Sequence, residues 1–193
     1  MLEQSKSARR RYNDGNFITK YFNGHGIDIG AGSDPLNQYL NQFPLIKSVK
    51  PWDIKDGDAQ YLETIDDLSL DWAHASHCLE HLNDPWIAMS NWLRKIKTGG
   101  YLIITVPDED MYENLRWPST WTNEHLWSFT IYKKGSPMPK SINVLDMIIR
   151  FSEISSCEKV SLINDFYQPT LIDRDQTLSI TTECAIELIL KKK

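Results

Sequence analysis

The sequence predicts an α/β protein, an open and largely parallel sheet with helices on both faces. Three observations carry this. Short apolar runs alternate with helix-like stretches along most of the chain. One run, Gly24-His25-Gly26-Ile27-Asp28-Ile29, passes directly into the glycine-rich turn Gly30-Ala31-Gly32-Ser33-Asp34-Pro35 and a helix start. Another, Tyr101 to Val106, is almost continuously apolar and ends at Pro107-Asp108, as a central strand buried on both faces would. Open α/β sheets bind ligands beyond the C-terminal ends of their strands, so the residues after each strand carry the functional expectation.

From Ser7 to Phe22 the apolar positions Tyr12, Phe17, Ile18, Tyr21 and Phe22 are interrupted by Asn13-Asp14-Gly15, which predicts two short helices. Ile27 to Ile29 form the first strand. Gly30 and Gly32 let the backbone turn sharply against a ligand, Asp34 is placed to cap the next helix, and Pro35 suits its first turn. That helix runs from Pro35 to Phe43 and stops before Pro44. A second strand, Ile46 to Ile54, carries Asp53 near its end, 23 residues after Gly30, the separation expected of an acid that accepts hydrogen bonds from ribose hydroxyls. Gly57-Asp58-Ala59 opens a turn, for which an Asx turn is the plain explanation. Leu70 to Ser76, counted as strand four, runs into His77-Cys78-Leu79-Glu80-His81-Leu82 and a helix start at Asn83-Asp84-Pro85.

A helix from Pro85 to Lys97 then places Trp86, Met89, Trp92, Leu93 and Ile96 on one side, and Gly99-Gly100 ends it. After Pro107 the chain changes character. Residues 108–139 hold three of the seven tryptophans and three of the nine prolines, and we expect an insertion over 108–140 on the substrate side. A helix at Ile142 to Phe151 and strands at Lys159 to Asp165 and Glu183 to Leu190, paired antiparallel, complete the pattern. Lys191-Lys192-Lys193 reads as a solvated tail.

A chain of 193 residues, 41% hydrophobic, suits one domain, with residues 1–23 as a helical cap. The net charge of −5 offers no field for a polyanion, so nucleic acid is disfavoured as a partner. Three scattered cysteines, Cys78, Cys157 and Cys184, suit reduced thiols in the cytoplasm, and neither a targeting segment nor a membrane span is expected. A monomer or homodimer is the expected state.

A dinucleotide fingerprint would need a third glycine where Pro35 stands. What remains, Asp28 two positions before Gly30-Ala31-Gly32, resembles motif I of the class I S-adenosylmethionine-dependent methyltransferases, and Ser76 to Leu82 followed by Asp84-Pro85 resembles that family's strand-four motif. Thr122 to Thr130 is similar to a segment after strand five in small-molecule members, and Asp175 to Leu188 to the closing hairpin. The resemblance implies a Rossmann-like sheet of seven strands in the order 3-2-1-4-5-7-6, the last pair antiparallel. It implies S-adenosylmethionine as cofactor, held by Asp28, Gly30, Ala31 and Gly32, by Asp53 and Ile54, by Asp58 and Ala59 at the adenine, and by His77, Cys78 and His81 beside the methionine. One of Arg9, Arg10 and Arg11 is expected at the cofactor carboxylate; solvated charges on an amphipathic helix are the alternative.

Transfer to a hydroxyl needs an aligned nucleophile and a base near its proton. His125 and His81 are the candidates for that base, with Glu124, Glu80 and Asp108 as carboxylate alternatives; Trp117, Trp121, Trp127 and Phe129 have two readings, as walls of the acceptor site or as a small core of the insertion. A metal held by His74, His77, His81, Cys78 and Glu80 is set aside. His74 and His77 would point to opposite faces of a strand, His74 reads as a half-buried strand residue, and no second Cys/His pair closes a tetrahedral site. The expected function is O-methylation of a small molecule or a sugar/glycan. The alternatives are N-methylation of a small amine, and a protein of this fold that binds cofactor or partner without turnover.

Overall fold

The computed structural model describes residues 3–193. In chain order the elements are α1 (Glu3–Tyr12), α2 (Gly15–Tyr21), β1 (Gly24–Ile29), a 3-10 segment (Leu36–Gln42), β2 (Ile46–Trp52), β3 (Leu70–Ser76), α3 (Pro85–Lys95), β4 (Ile96–Pro107), β5 (Ser128–Thr130), β6 (Ser141–Asn143), α4 (Val144–Arg150), β7 (Ser155–Ile163) and β8 (Ala185–Lys192). Six strands form the main sheet in the order β2-β1-β3-β4-β8-β7. The first four run parallel, and β8 lies antiparallel to both of its neighbours. This is the Rossmann-like arrangement expected, less one strand.

The missing strand is the third of the seven expected. Only residues 53–69 separate β2 from β3, and a parallel crossover takes a dozen residues or more, so a helix and an extra strand do not fit. The segment instead turns back on itself, with Leu62 and Leu68 at positive φ, and leaves β2 as the sheet edge. Pro51 is tolerated in β2 for that reason, since an edge strand has one side free of ladder bonds.

Period-two alternation sorts the side chains onto two faces. Ile27, Ile29, Ala73, Ala75, Leu102, Ile104, Val106, Ile186 and Leu188 pack with Met89, Trp92 and Leu93 of α3 and Met147 of α4. The other face puts Trp72, Ile103 and Ile189 against Ala8 of α1 and Phe17, Ile18 and Tyr21 of α2. On that second face Asp28, His74, Thr105 and Glu187 are all buried, and α1 drives Arg11 into them. The guanidinium lies 2.9 Å from His74 Nε2, 2.9 Å from Glu187 Oε2 and 3.3 Å from Thr105 Oγ1. Arg10 adds bonds to Glu183 and Glu187 at 2.9 and 3.2 Å. Buried charge is tolerated only when paired in this way.

Several boundaries differ from the sequence reading. The helix after the glycine turn is a 3-10 helix, Leu36–Gln42, kinked at Tyr39, not an α-helix. Strand β2 ends at Trp52, and Asp53 caps a short 3-10 turn beyond it. Helix α3 stops at Lys95, because Ile96 already pairs with Leu70; a bulge then precedes the Tyr101 to Trp72 pairing. Gly100 is required there, since a β-carbon would collide with the Asp71 carbonyl. Residues 142–151 are not one helix: Ile142 lies in β6, and Asn143 caps α4 through a 3.0 Å bond from Leu145 N. Strand β7 begins at Ser155, and the closing hairpin pairs it with β8. Asp175 caps a 3-10 turn, Gln176–Leu178. Lys191 and Lys192 are strand residues paired with Ser156 and Ser155, so the basic end is not a free tail. His74 is wholly buried rather than half-buried. Among the described residues no helix is long and apolar enough to cross a membrane.

Candidate active site

The loops following β1, β2 and β3 open onto two adjoining cavities of about 390 and 820 Å³ that share Gly30, Gly32, His77, His81 and Glu124. The smaller also takes Asp28, Ala31, Glu80 and His125, and the larger takes Asp53, Ile54, Asp58, Ala59 and Cys78. All eleven residues named from the sequence as cofactor contacts therefore line one cleft, together with both histidines named as bases.

The glycine turn is held from below. Gly30 N and Ala31 N donate to Trp52 O at 2.9 and 3.0 Å, and Gly30 sits at φ +73° with a β-carbon position only 2.6 Å from Cys78 Cβ. Asp28 accepts from Leu36 N at 2.7 Å and contacts His74 Nδ1 at 2.7 Å, so both its oxygens are committed to the fold. Asp28, not Asp34, thus caps the segment after the turn. Asp34 accepts instead from Ser5 N at 3.0 Å and the Tyr39 hydroxyl, tying α1 to the loop. In the larger cavity Asp53 accepts from Ile54 N at 2.8 Å, and Asp58 forms an Asx turn by accepting from Gln60 N at 2.8 Å.

Beyond β3 the chain turns through His77, whose φ of +51° is the left-handed region that a residue with a β-carbon rarely adopts. The turn aims the next residues into the smaller cavity. Glu80 is fully buried, and neither of its carboxylate oxygens has a hydrogen-bond partner. Oε1 lies 3.4 Å from His77 Nδ1 without hydrogen-bond geometry, 3.9 Å from His81 Nε2 and 4.0 Å from His125 Nε2. Burial pushes the Glu80 carboxyl up, but the three imidazoles outweigh it and keep the group ionised.

Both histidines are oriented from behind. His81 Nδ1 lies 3.1 Å from the Glu124 carbonyl and His125 Nδ1 lies 2.6 Å from the buried Glu113 carboxylate. A carbonyl or carboxylate only accepts, so each Nδ1 carries a proton, and each Nε2 is the ring nitrogen turned toward Glu80.

The Methyltransferase domain family matches residues 13–133 of this sequence. The chain belongs to that family. It is an S-adenosylmethionine-dependent methyltransferase, and the cleft lies where such a sheet places its ligand. Among solved structures, a SAM-dependent methyltransferase from Archaeoglobus fulgidus aligns with a TM-score of 0.61 and 18% identity, over 100% of this chain and 95% of its own. The plantazolicin methyltransferase BpumL, in complex with S-adenosylhomocysteine, aligns with a TM-score of 0.62 and 14% identity, over 100% and 84%. These likenesses speak for the fold. No curated protein sequence matches the chain.

Other expectations for the methyltransferase do not hold. None of Arg9, Arg10 and Arg11 lines the cleft: Arg11 is buried with Glu187, Arg10 bonds to Glu183, and Arg9 is exposed. The α1 residues that do reach it are Glu3 and Gln4, and the buried Gln4 Nε2 has no partner. Nor do Trp117, Trp121, Trp127 and Phe129 wall it. Phe129 belongs to the main core, Trp127 packs against that core, and Trp121 packs beside Met111 and Tyr112. Tyr112 is the aromatic residue in the cleft. Asp108 is buried outside it and accepts from Asp110 N and Met111 N. Glu3, Gln4, Tyr112 and Glu113 carry no sequence signal for the site, because their segments show neither a motif nor a spacing tied to the glycine turn.

Proposed function

We propose that this methyltransferase transfers the methyl group of S-adenosylmethionine to a hydroxyl of a small molecule or a sugar/glycan. The observation that carries the reading is the convergence of the Glu80 carboxylate and the Nε2 atoms of His81 and His125 in the cavity that also holds the glycine turn. A carboxylate and two imidazoles gathered at one point can together take the proton of an acceptor hydroxyl. A cavity of about 390 Å³ is the size of a small-molecule pocket.

In this reading the Asp53 carboxylate holds the ribose hydroxyls beside Ile54, which is 92% exposed and offers an apolar face. Asp58 takes the exocyclic amine of adenine and the Ala59 backbone a ring nitrogen. Gly30, Ala31, Gly32 and Cys78 flank the methionine, whose carboxylate takes the unpartnered Gln4 amide. The acceptor oxygen attacks the methyl carbon in line; the carbon–oxygen bond forms as the carbon–sulfur bond breaks, and the electron pair stays on sulfur. The hydroxyl proton leaves through the His81 and His125 cluster.

The test has two stages. Calorimetric titration with S-adenosylmethionine and S-adenosylhomocysteine should give saturable binding. An acceptor found by screening sugars, phenols and amines then allows His125→Ala and His81→Ala to be compared with wild type. Losses of about 10²–10⁴ in kcat with cofactor affinity intact support activation of oxygen. Near-normal kcat in both variants would remove the base and leave positioning alone to drive transfer.

A further inference from the structure

We propose that Glu80, His81 and His125 form a binding site for one divalent first-row transition ion, open on the cleft side. Setting a metal aside from the sequence rested on His74 and His77 pointing to opposite faces of a strand and on the lack of a second Cys/His pair elsewhere to close a tetrahedral site. The fold supplies the missing ligand from the insertion, by laying His125 beside a residue 45 positions earlier, Glu80.

One ligand atom each of Glu80, His81 and His125 lies within 4.8 Å of the other two, with Glu80 Oε1 3.9 Å from His81 Nε2 and 4.0 Å from His125 Nε2. An ion about 2.0–2.2 Å from each needs them about 3.0–3.5 Å apart, a contraction of about 0.4–1 Å from the 3.9 and 4.0 Å separations here. The ring orientation is the one an ion requires. With Nδ1 of each imidazole committed to the Glu124 carbonyl or the Glu113 carboxylate, Nε2 is on each ring the atom left to ligate, and both Nε2 atoms face the Glu80 carboxylate. Metal-ligating histidines are held by such backing bonds.

The fully buried Glu80 carboxylate, without a hydrogen bond to either oxygen, is the second and independent sign. Leaving an ionised carboxylate in that condition is costly, and a cation in the gap removes the cost. Two imidazoles with one carboxylate favour zinc, manganese or iron over magnesium or calcium. Three protein ligands leave coordination positions free toward the cavity, as catalytic ions need and structural ones do not.

The ion's role rests on the hydroxyl-acceptor reading, although its binding does not. An acceptor hydroxyl coordinated there would release its proton to water more readily, and its oxygen would then attack the methyl carbon as the carbon–sulfur bond breaks. His81 and His125 would serve as ligands rather than as bases.

Tag-free protein stripped by chelation should bind one Zn²⁺ per chain in calorimetry and, with Co²⁺, develop visible d–d absorption. Glu80→Gln, which keeps the shape of the side chain, and His125→Ala should each weaken Zn²⁺ binding at least about 10-fold and remove the Co²⁺ spectrum. Glu113→Gln should weaken it about 10- to 100-fold. Cofactor titration and circular dichroism on each variant report whether it is folded. Wild-type Zn²⁺ affinity no higher than that of Glu80→Gln, or a Co²⁺ spectrum that survives His125→Ala, overturns the site. Turnover that persists in chelator, with no ion bound, overturns the ion's role in transfer and leaves hydroxyl methylation standing; ion binding with transfer only to amines keeps the site and removes the hydroxyl reading.

Discussion

Asp28 and His74 are register partners on β1 and β3, with Asp28 Oδ1 2.7 Å from His74 Nδ1 in a region closed to solvent. Burial holds the His74 pKa below its usual value, so the ring is neutral; it donates through Nδ1 to Asp28 and accepts at Nε2 from Arg11. Asp28 also takes the Leu36 amide. Its carboxylate therefore fixes the shape of the glycine turn from beneath.

Asp28→Ala should lower stability by roughly 2–5 kcal/mol, because two buried donors lose their acceptor. Urea unfolding followed by circular dichroism measures this. An unchanged urea midpoint with lost cofactor affinity would make Asp28 a ligand contact instead.

Acid should attack the fold at Glu187. Burial pushes this carboxyl up, but Arg11, Arg10 and Lys159 outweigh burial and hold it at about 2, against an ordinary 4.5. A carboxyl whose folded pKa lies below its unfolded one stabilises the protein above the unfolded value and loses that contribution as pH falls towards the folded one. Between pH 4.5 and 2 the protein should thus lose about 3 kcal/mol through this group. Glu187→Gln should be destabilised at pH 7 and show a shallower loss over that range; parallel pH curves for the two proteins would refute the assignment.

Gly30→Ala should be among the most damaging changes to the cleft. The added β-carbon would lie 2.6 Å from Cys78 Cβ and 2.7 Å from its Sγ, at φ +73°. Overpacking and left-handed strain together predict a loss of about 2–4 kcal/mol. Cys78→Ala removes only the sulfur and should not rescue the variant, whereas Cys78→Gly removes the β-carbon as well and should rescue part of it. Equal rescue by both would show that the sulfur alone is the obstacle.

Asp53→Ala should weaken S-adenosylmethionine binding by about 1.5–3 kcal/mol, the usual worth of hydrogen bonds to a charged group, or roughly 10- to 150-fold in Kd. Calorimetry on folded variant tests this, and wild-type affinity would place the ribose elsewhere.

The positions of these residues were legible in the sequence to unequal degrees, for physical reasons. Gly30, Asp53, Asp58 and His77 follow strand ends, and local apolar patterns with fixed spacings mark such ends. The expectation of a third sheet strand came from resemblance, whereas residues 53–69, with Gly57 and Asp58, read locally as turns. Arg11 could be read as solvated or as a cofactor contact, because its partner Glu187 lies 176 residues away and no local pattern reports it. The same limit hid the Glu113 to His125 contact and the approach of Glu80 to His125. The Arg11 pairing depends on which face of which strand meets α1, and the alternation that decides this becomes visible only once strand order is known; Glu80, Glu113 and His125 lie outside the strands, where no period reports their place.

The ties between α1 and the far end of the chain bear on how the protein is made. Lys6 Nζ donates to the carbonyls of Thr177 and Thr182, and Arg10 and Arg11 reach Glu187, at separations of 171 to 177 residues. During synthesis Lys6, Arg10 and Arg11 therefore wait for these partners until the ribosome has released β8 and the segment before it. The helix that carries Glu3 and Gln4 is then the last wall of the cleft to arrive, so a nascent chain stalled before Glu187 would have its glycine turn and not yet a closed place to hold a cofactor.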